Sequence, residues 1–182
     1  MKKLMTLILF FIAVNLNAGG YYNIKEQGYD SETSLFYYSV KHKPESGGLF
    51  SSESNTRVKN ILIFDPKTEK QWYLFKPNTI WNIRHFTFES YKDEGKKINF
   101  YAGGYNVMNS VDLIRELKNK LLIITSEEKN DKLTMWFASK TGENLKQVHM
   151  FNKTDKWHID IKNSKIRFIT HKNEILIKSI DW

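Results

Sequence analysis

The 182-residue sequence contains no cysteine, so neither a disulfide nor a thiolate metal site is available, and stability has to come from burial and hydrogen bonding. Proline is scarce, with three residues, which leaves almost every backbone amide able to enter a sheet ladder. Beyond residue 18 no run approaches the ~20 consecutive apolar residues that a membrane-spanning helix needs. Catalytic motifs are missing as well. There is no Gly-x-Ser-x-Gly elbow, and Ser51, Ser52 and Ser54 lie in a Pro-, Gly- and Ser-rich stretch at 44–56 where a triad is hard to hold. Gly47-Gly48 in that stretch is not followed by Lys-Ser/Thr and a helix, so it is no phosphate loop. The carboxylate pairs Asp93-Glu94 and Glu127-Glu128 fall in polar turns, and the five histidines lack acids at metal-ligand spacing. No cofactor and no metal are expected.

What is present at the start of the chain is an export pattern. Lys2 and Lys3 precede an apolar stretch at 4–14 broken only by Thr6, and Ala18 supplies a small residue for cleavage. Residues 1–18 therefore read as a signal peptide and 19–182 as a single β-rich domain, periplasmic or extracellular. Loss of Lys2 and Lys3, with no acid removed, lowers the formal charge from +8 to +6. The remaining lysines are scattered through turns such as Lys41-His42-Lys43, Lys96-Lys97 and Lys118-Asn119-Lys120, never in a run of five to eight. That distribution argues against nucleic acid and leaves a protein or an anionic envelope polymer as the expected partner.

The body of the sequence reads as short strands between polar turns. From 121 onward six runs of strand length follow one another, at 121–125, 133–138, 145–151, 157–161, 166–170 and 175–180. In the first half, 35–40 alternates well, and 58–64 and 71–75 form a hairpin across Asp65-Pro66-Lys67-Thr68-Glu69-Lys70. Further strands are expected at 81–88 and 98–101, with at most one around 21–24. Residues 102–109 read as Gly-rich loop, and Ser110 with Val111, Ile114, Leu117 and Lys118 suggests a short helix near 110–118. The fold class expected is all-β, an antiparallel meander arranged as a small or partial propeller-like assembly or as a β-sandwich.

An internal echo supports the propeller arrangement. Residues 63–83 and 136–161 share a strand, a Lys-Thr turn, a strand ending in Phe, a polar turn and Trp-x-Ile. The phrases FDPKTEK at 64–70 and ASKTGENLKQV at 138–148 resemble the outer-strand turns of bacterial β-propeller repeats. The resemblance covers these two hairpins and implies a binding scaffold without specifying a ligand.

Five residues stand out as site candidates. His158 and Asp160 share one face of the 157–161 strand, opposite Trp157, Ile159 and Ile161, so the alternation predicts them on the solvent side. A His and an Asp so placed can share a proton or donate two metal ligands. Arg84 falls on the face of Phe86 and Phe88, where it can meet an anion, and His85 is adjacent to it. Trp72 represents the many aromatics that can stack on sugars or anchor a partner. The expected function is a non-catalytic binding module of the cell envelope; the alternative is an exported hydrolase or metal-assisted enzyme built on His158, Asp160, Arg84 and His85.

Overall fold

The apolar run at 121–125 does not alternate, and a strand without alternation has to be buried on both faces. The structure, a computed structural model, describes residues 24–42, 57–92, 97–102, 107–108, 113–127, 130–171 and 173–182. Its first seven strands are β1 (Gln27–Asp30), β2 (Leu35–Lys41), β3 (Val58–Asp65), β4 (Lys70–Tyr73), β5 (Asn82–Tyr91), β6 (Ile98–Phe100) and β7 (Val107–Met108). Then come β8 (Leu121–Ser126), β9 (Lys132–Ala138), β10 (Lys146–Asn152), β11 (Lys156–Asp160), β12 (Lys165–His171) and β13 (Ile175–Asp181). All six residues of β8 are buried.

Two sheets account for this. A nine-stranded sheet runs in the order β1-β2-β3-β5-β8-β9-β10, with β4 added to β3 and β6 to β5, and a four-stranded sheet runs β13-β12-β11-β7. Every pairing is antiparallel except that of β7 with β11. Leu121 and Ile123 of β8 point into one core with Tyr37, Ile61, Ile63, Phe86 and Phe88. Leu122 and Ile124 point the other way, into a second core. There they meet Met135 and Phe137 of their own sheet and Ile159, Ile166 and Phe168 of the four-stranded one. Burial of each such aliphatic side chain is worth roughly 1.5–3 kcal/mol, so β8 ties the two cores together more strongly than any single turn does.

The first core is closed by a fold in the large sheet itself. β3 and β5 share a single residue pair, Val58 with Ile83, so the β1–β4 half is free to bend over the β5–β10 half. The bent half is pinned where it meets the turn after β9. The Tyr37 hydroxyl donates to the Lys140 carbonyl at 2.9 Å, and Trp72 Nε1 donates to the Thr141 carbonyl at 2.8 Å. The sheet does not close into a barrel.

The all-β antiparallel expectation therefore holds, with three corrections of detail. Residues 113–118, the described part of the expected helix, are not helical, and Ile114 bridges Lys97. Tertiary pairing and the Glu89 contacts described below override a helical spacing of only two turns. Strand β7 lies inside the stretch read as Gly-rich loop, β1 is a strand that the sequence reading did not mark, and most of the strand expected around 21–24 lies outside the described residues. Among the described residues the strand order contains no ring of four-stranded blades, and the two sheets meet across the second core. The two echoed hairpins, β3–β4 and β9–β10, meet each other through Trp72 and Thr141 instead of forming separate blades.

Candidate binding cleft

Of the five residues singled out by pattern, two are displaced by a β-bulge. Pairing of β5 with β8 shifts between Ile83 and His85, so Arg84 is the extra residue, and Ile83, Phe86 and Phe88 all reach the first core. Arg84 is thereby removed from the face of Phe86, and its Nε donates to Ser126 Oγ at 2.7 Å. His85 is buried on the opposite face, edge-on to Trp157 with ring centroids 5.1 Å apart. Burial lowers its pKa to about 4, so the ring is neutral at neutral pH. Its Nε2 is buried with no hydrogen-bond partner among the described residues.

The other three fall apart as a group. His158 is half-buried opposite Arg167. Asp160, expected on the solvent face, is buried because it starts the β11–β12 turn. It accepts the Asn163 amide N–H at 3.2 Å and Asn163 Nδ2 at 2.8 Å. Arg167 donates to it from Nε at 3.1 Å and Nη2 at 2.9 Å. Trp72 packs against the first core, away from that turn. The structure thus places His85 against β11 through Trp157, while Asp160 is engaged by Arg167 and its own turn. Among the described residues no group of three or more His, Asp or Glu side chains is disposed to hold a metal ion.

A different set of residues forms a recess. An open cleft of about 550 Å³ lies where β9 and β10 face the end of β13. Phe137, Val148 and Ile180 give it an apolar floor, and Lys120, Lys146 and Ser139 give it polar groups. Val148 is the bulged residue of β10, since the β9–β10 register shifts between Gln147 and His149. The extra residue turns an edge-strand side chain into the recess, a frequent use of bulges near binding sites.

Lys120 is held in place by a buried acid. Glu89, fully buried on β5, receives Arg115 Nη1 at 2.7 Å and Nη2 at 2.6 Å, the Lys118 amide at 2.8 Å and Trp182 Nε1 at 2.6 Å. Burial by itself would raise its pKa, but the Arg115, Lys118 and Trp182 donors outweigh burial and hold it below the usual range. These bonds fix segment 113–120 and the indole of Trp182, and Lys120 follows. Its Nζ sits 4.6 Å from the Phe137 ring and 5.4 Å from the Trp182 ring.

The cleft carries two lysine charges that its acids offset only in part. Burial, and next the charge of Lys146, lower the pKa of Lys120, with partial opposition from Asp181 and Glu89. Asp181 on the rim is bound to Lys165, and neither Lys120 nor Lys146 has a salt-bridge partner among the described residues. An anion between the two ammonium groups would remove their mutual repulsion, and an apolar portion of the same ligand has Phe137 and Val148 to rest on. Pattern reading treated Lys118-Asn119-Lys120 as a solvated turn. The available signal was its position directly before β8, a strand buried on both faces. The chain matches no protein-family model, and no curated protein or solved structure shows significant similarity to it.

Proposed function

We propose that the protein is an exported, non-catalytic binding module whose cleft takes a polar, anionic partner of the cell envelope. The observation that supports this reading is the pair Lys120 and Lys146, without salt-bridge partners among the described residues, over an apolar floor. Residues 1–18, outside the described residues, carry the export pattern, so N-terminal sequencing of the exported material is expected to begin at or near Gly19.

Binding through two partly exposed ammonium groups is screened by salt and needs no metal. Incubated with envelope fractions, the purified protein should be retained at low ionic strength, released as salt is raised and unaffected by chelator. Lys120→Gln combined with Lys146→Gln should weaken retention by at least about tenfold, the loss of charge-assisted hydrogen bonds. Chelator-sensitive product formation that disappears in His158→Ala or Asp160→Ala would reject binding in favour of the hydrolase or metal-assisted alternative.

A further inference from the structure

The polar groups of the cleft divide into acceptors that the protein itself occupies and donors that it leaves open. Asn119 Oδ1 accepts the Lys140 amide at 2.8 Å, which leaves Asn119 Nδ2 without an acceptor among the described residues. Ser139 Oγ accepts the Glu143 amide at 3.0 Å and shares a hydrogen with Thr141 Oγ1 at 2.8 Å. Asp181 is held by Lys165, and the nearby Glu89 by Arg115. Lys118, the neighbouring cation, donates to the Trp182 carbonyl. Lys120 Nζ, Lys146 Nζ and Asn119 Nδ2 stay open, three donor groups with two charges between them, and Asn144 can offer either edge of its amide.

We infer that the cleft is built for a phosphate monoester with an apolar ester group. This rests on the cleft being the anion site proposed above, and it names the anion. A phosphate monoester carries a charge of about −1.5 to −2 near neutral pH and three diverging terminal oxygens, one for each open donor. A carboxylate brings a single charge and two oxygens in one plane, and a phosphodiester a single charge and two terminal oxygens, so either would leave one ammonium unmatched. Planar anions are commonly met by the arginine fork. The residues lining this cleft include two lysines, which act as point charges, and no arginine.

The apolar half of the cleft fits the remainder of such a ligand. Lys120 Nζ lies 4.6 Å from the centre of the Phe137 ring, so an oxyanion that it holds sits at the border of the floor. The ester group then reaches Ile180 and Val148, the residue turned inward by the β10 bulge. Inorganic phosphate would satisfy the donors but leave that surface wet, so the ester group adds affinity that the free ion lacks. Asp181, next to Ile180 on the rim, disfavours a second anionic group there and limits the ester to a neutral one.

The test is equilibrium binding to the purified protein, at matched ionic strength, of phenyl phosphate, inorganic phosphate, methyl phenyl phosphate and benzoate. Phenyl phosphate should bind most tightly, and each of the others should be weaker by about tenfold or more, the loss of one charge-assisted bond or of the apolar contact. Lys120→Gln, Lys146→Gln and Asn119→Asp should each weaken phenyl phosphate by at least about tenfold. Asn119→Asp keeps an oxygen to receive the Lys140 amide and so spares that contact. Phosphatidylcholine vesicles doped with phosphatidic acid, a monoester, or with phosphatidylglycerol, a diester, identify the source. Preference for phosphatidic acid supports a lipid headgroup, and phenyl phosphate binding without vesicle binding supports a soluble or polymer-borne monoester. Benzoate or the diester binding as tightly as phenyl phosphate, or phenyl phosphate binding indifferent to all three substitutions, would overturn the inference. Salt-sensitive envelope retention that needs Lys120 and Lys146 can survive that result, so the monoester and the anion-binding reading fail separately.

Discussion

Asp30 and Asp65 begin the same turn and end in opposite environments. In each hairpin four residues separate the aspartate from its cross-strand partner, Leu35 or Lys70, and the fourth is left-handed, Ser34 at φ 62° and Glu69 at φ 55°. Each carboxylate accepts the hydroxyl of the threonine three residues on, at 2.6 Å for Thr33 and 2.8 Å for Thr68. From there they diverge. Asp65 turns toward water, with bonds only to its own turn. Asp30 is completely buried and its second oxygen receives Lys140 Nζ at 2.8 Å, a lysine only 2% exposed. Lys140 in turn donates its amide to Asn119 Oδ1 at 2.8 Å and lies 5.6 Å from the Phe88 ring. Local sequence makes the turn; the bend of the large sheet decides whether its charge is solvated or locked against the opposite hairpin.

The largest effect that separates the two follows directly. Asp30→Ala strands the buried Lys140 ammonium and should cost about 3–5 kcal/mol in denaturant unfolding, as should Lys140→Met by stranding the carboxylate. Asp65→Ala should lose only a small part of that. The double variant Asp30→Ala with Lys140→Met should be less damaging than the sum of the singles, because removing both charges leaves none unpaired. Equal losses at Asp30 and Asp65 would show that burial adds nothing to the shared turn.

This comparison also shows what pattern reading reaches. Strand positions were legible because alternation and turn residues are local, the run at 121–125 among them, and the structure places that strand between two cores. The Asp65 turn was legible for the same reason. Asp160 was read as solvent-facing although Asp160-Ile161-Lys162-Asn163-Ser164-Lys165 repeats the Asp30 and Asp65 plan, with Asn163 in the threonine's place and Ser164 at φ 50°. Period-two alternation stops at a turn, so Asp160 belongs to the turn and not to the strand face. The bulge at Arg84 and the Asp30–Lys140 pair, 110 residues apart, have no local signature, and the lysine cleft is assembled by the same long-range packing.

Acid titration, the obvious means of comparing the carboxylates, passes first through His85. With a folded pKa of about 4 against an ordinary 6.5, the native ring resists a proton that the unfolded chain accepts. Its contribution is complete above pH 6.5 and is lost as pH falls toward 4, by up to about 3 kcal/mol. His85→Phe should flatten the stability profile in that window apart from the share of His149, whose pKa burial also lowers, leaving the decline below it to carboxylates. Asp65 and Glu89 belong there, since their pKa values are lowered and their stabilisation disappears as pH falls through the folded value. A profile unchanged by His85→Phe would place the ring in contact with water. On the same scale Asp160→Ala should lie between Asp30 and Asp65, about 1–3 kcal/mol, because Arg167 is a third exposed and keeps part of its hydration.

The smallest prediction asks whether the turns are one structure in backbone terms. A non-glycine residue in the left-handed region carries a steric penalty that glycine lacks, partly offset by glycine's greater freedom in the unfolded chain. Replacing Ser34, Glu69 or Ser164 by Gly should therefore change stability by less than about 1 kcal/mol, in the stabilising direction. The three changes should also agree with one another to within about 0.5 kcal/mol. Agreement would show that the large difference between Asp30 and Asp65 resides in the carboxylate's partners. A selective effect at Ser34, beside the buried pair, would mean instead that docking against Lys140 reshapes the backbone, and the turn would then be set by the tertiary contact rather than by its own residues.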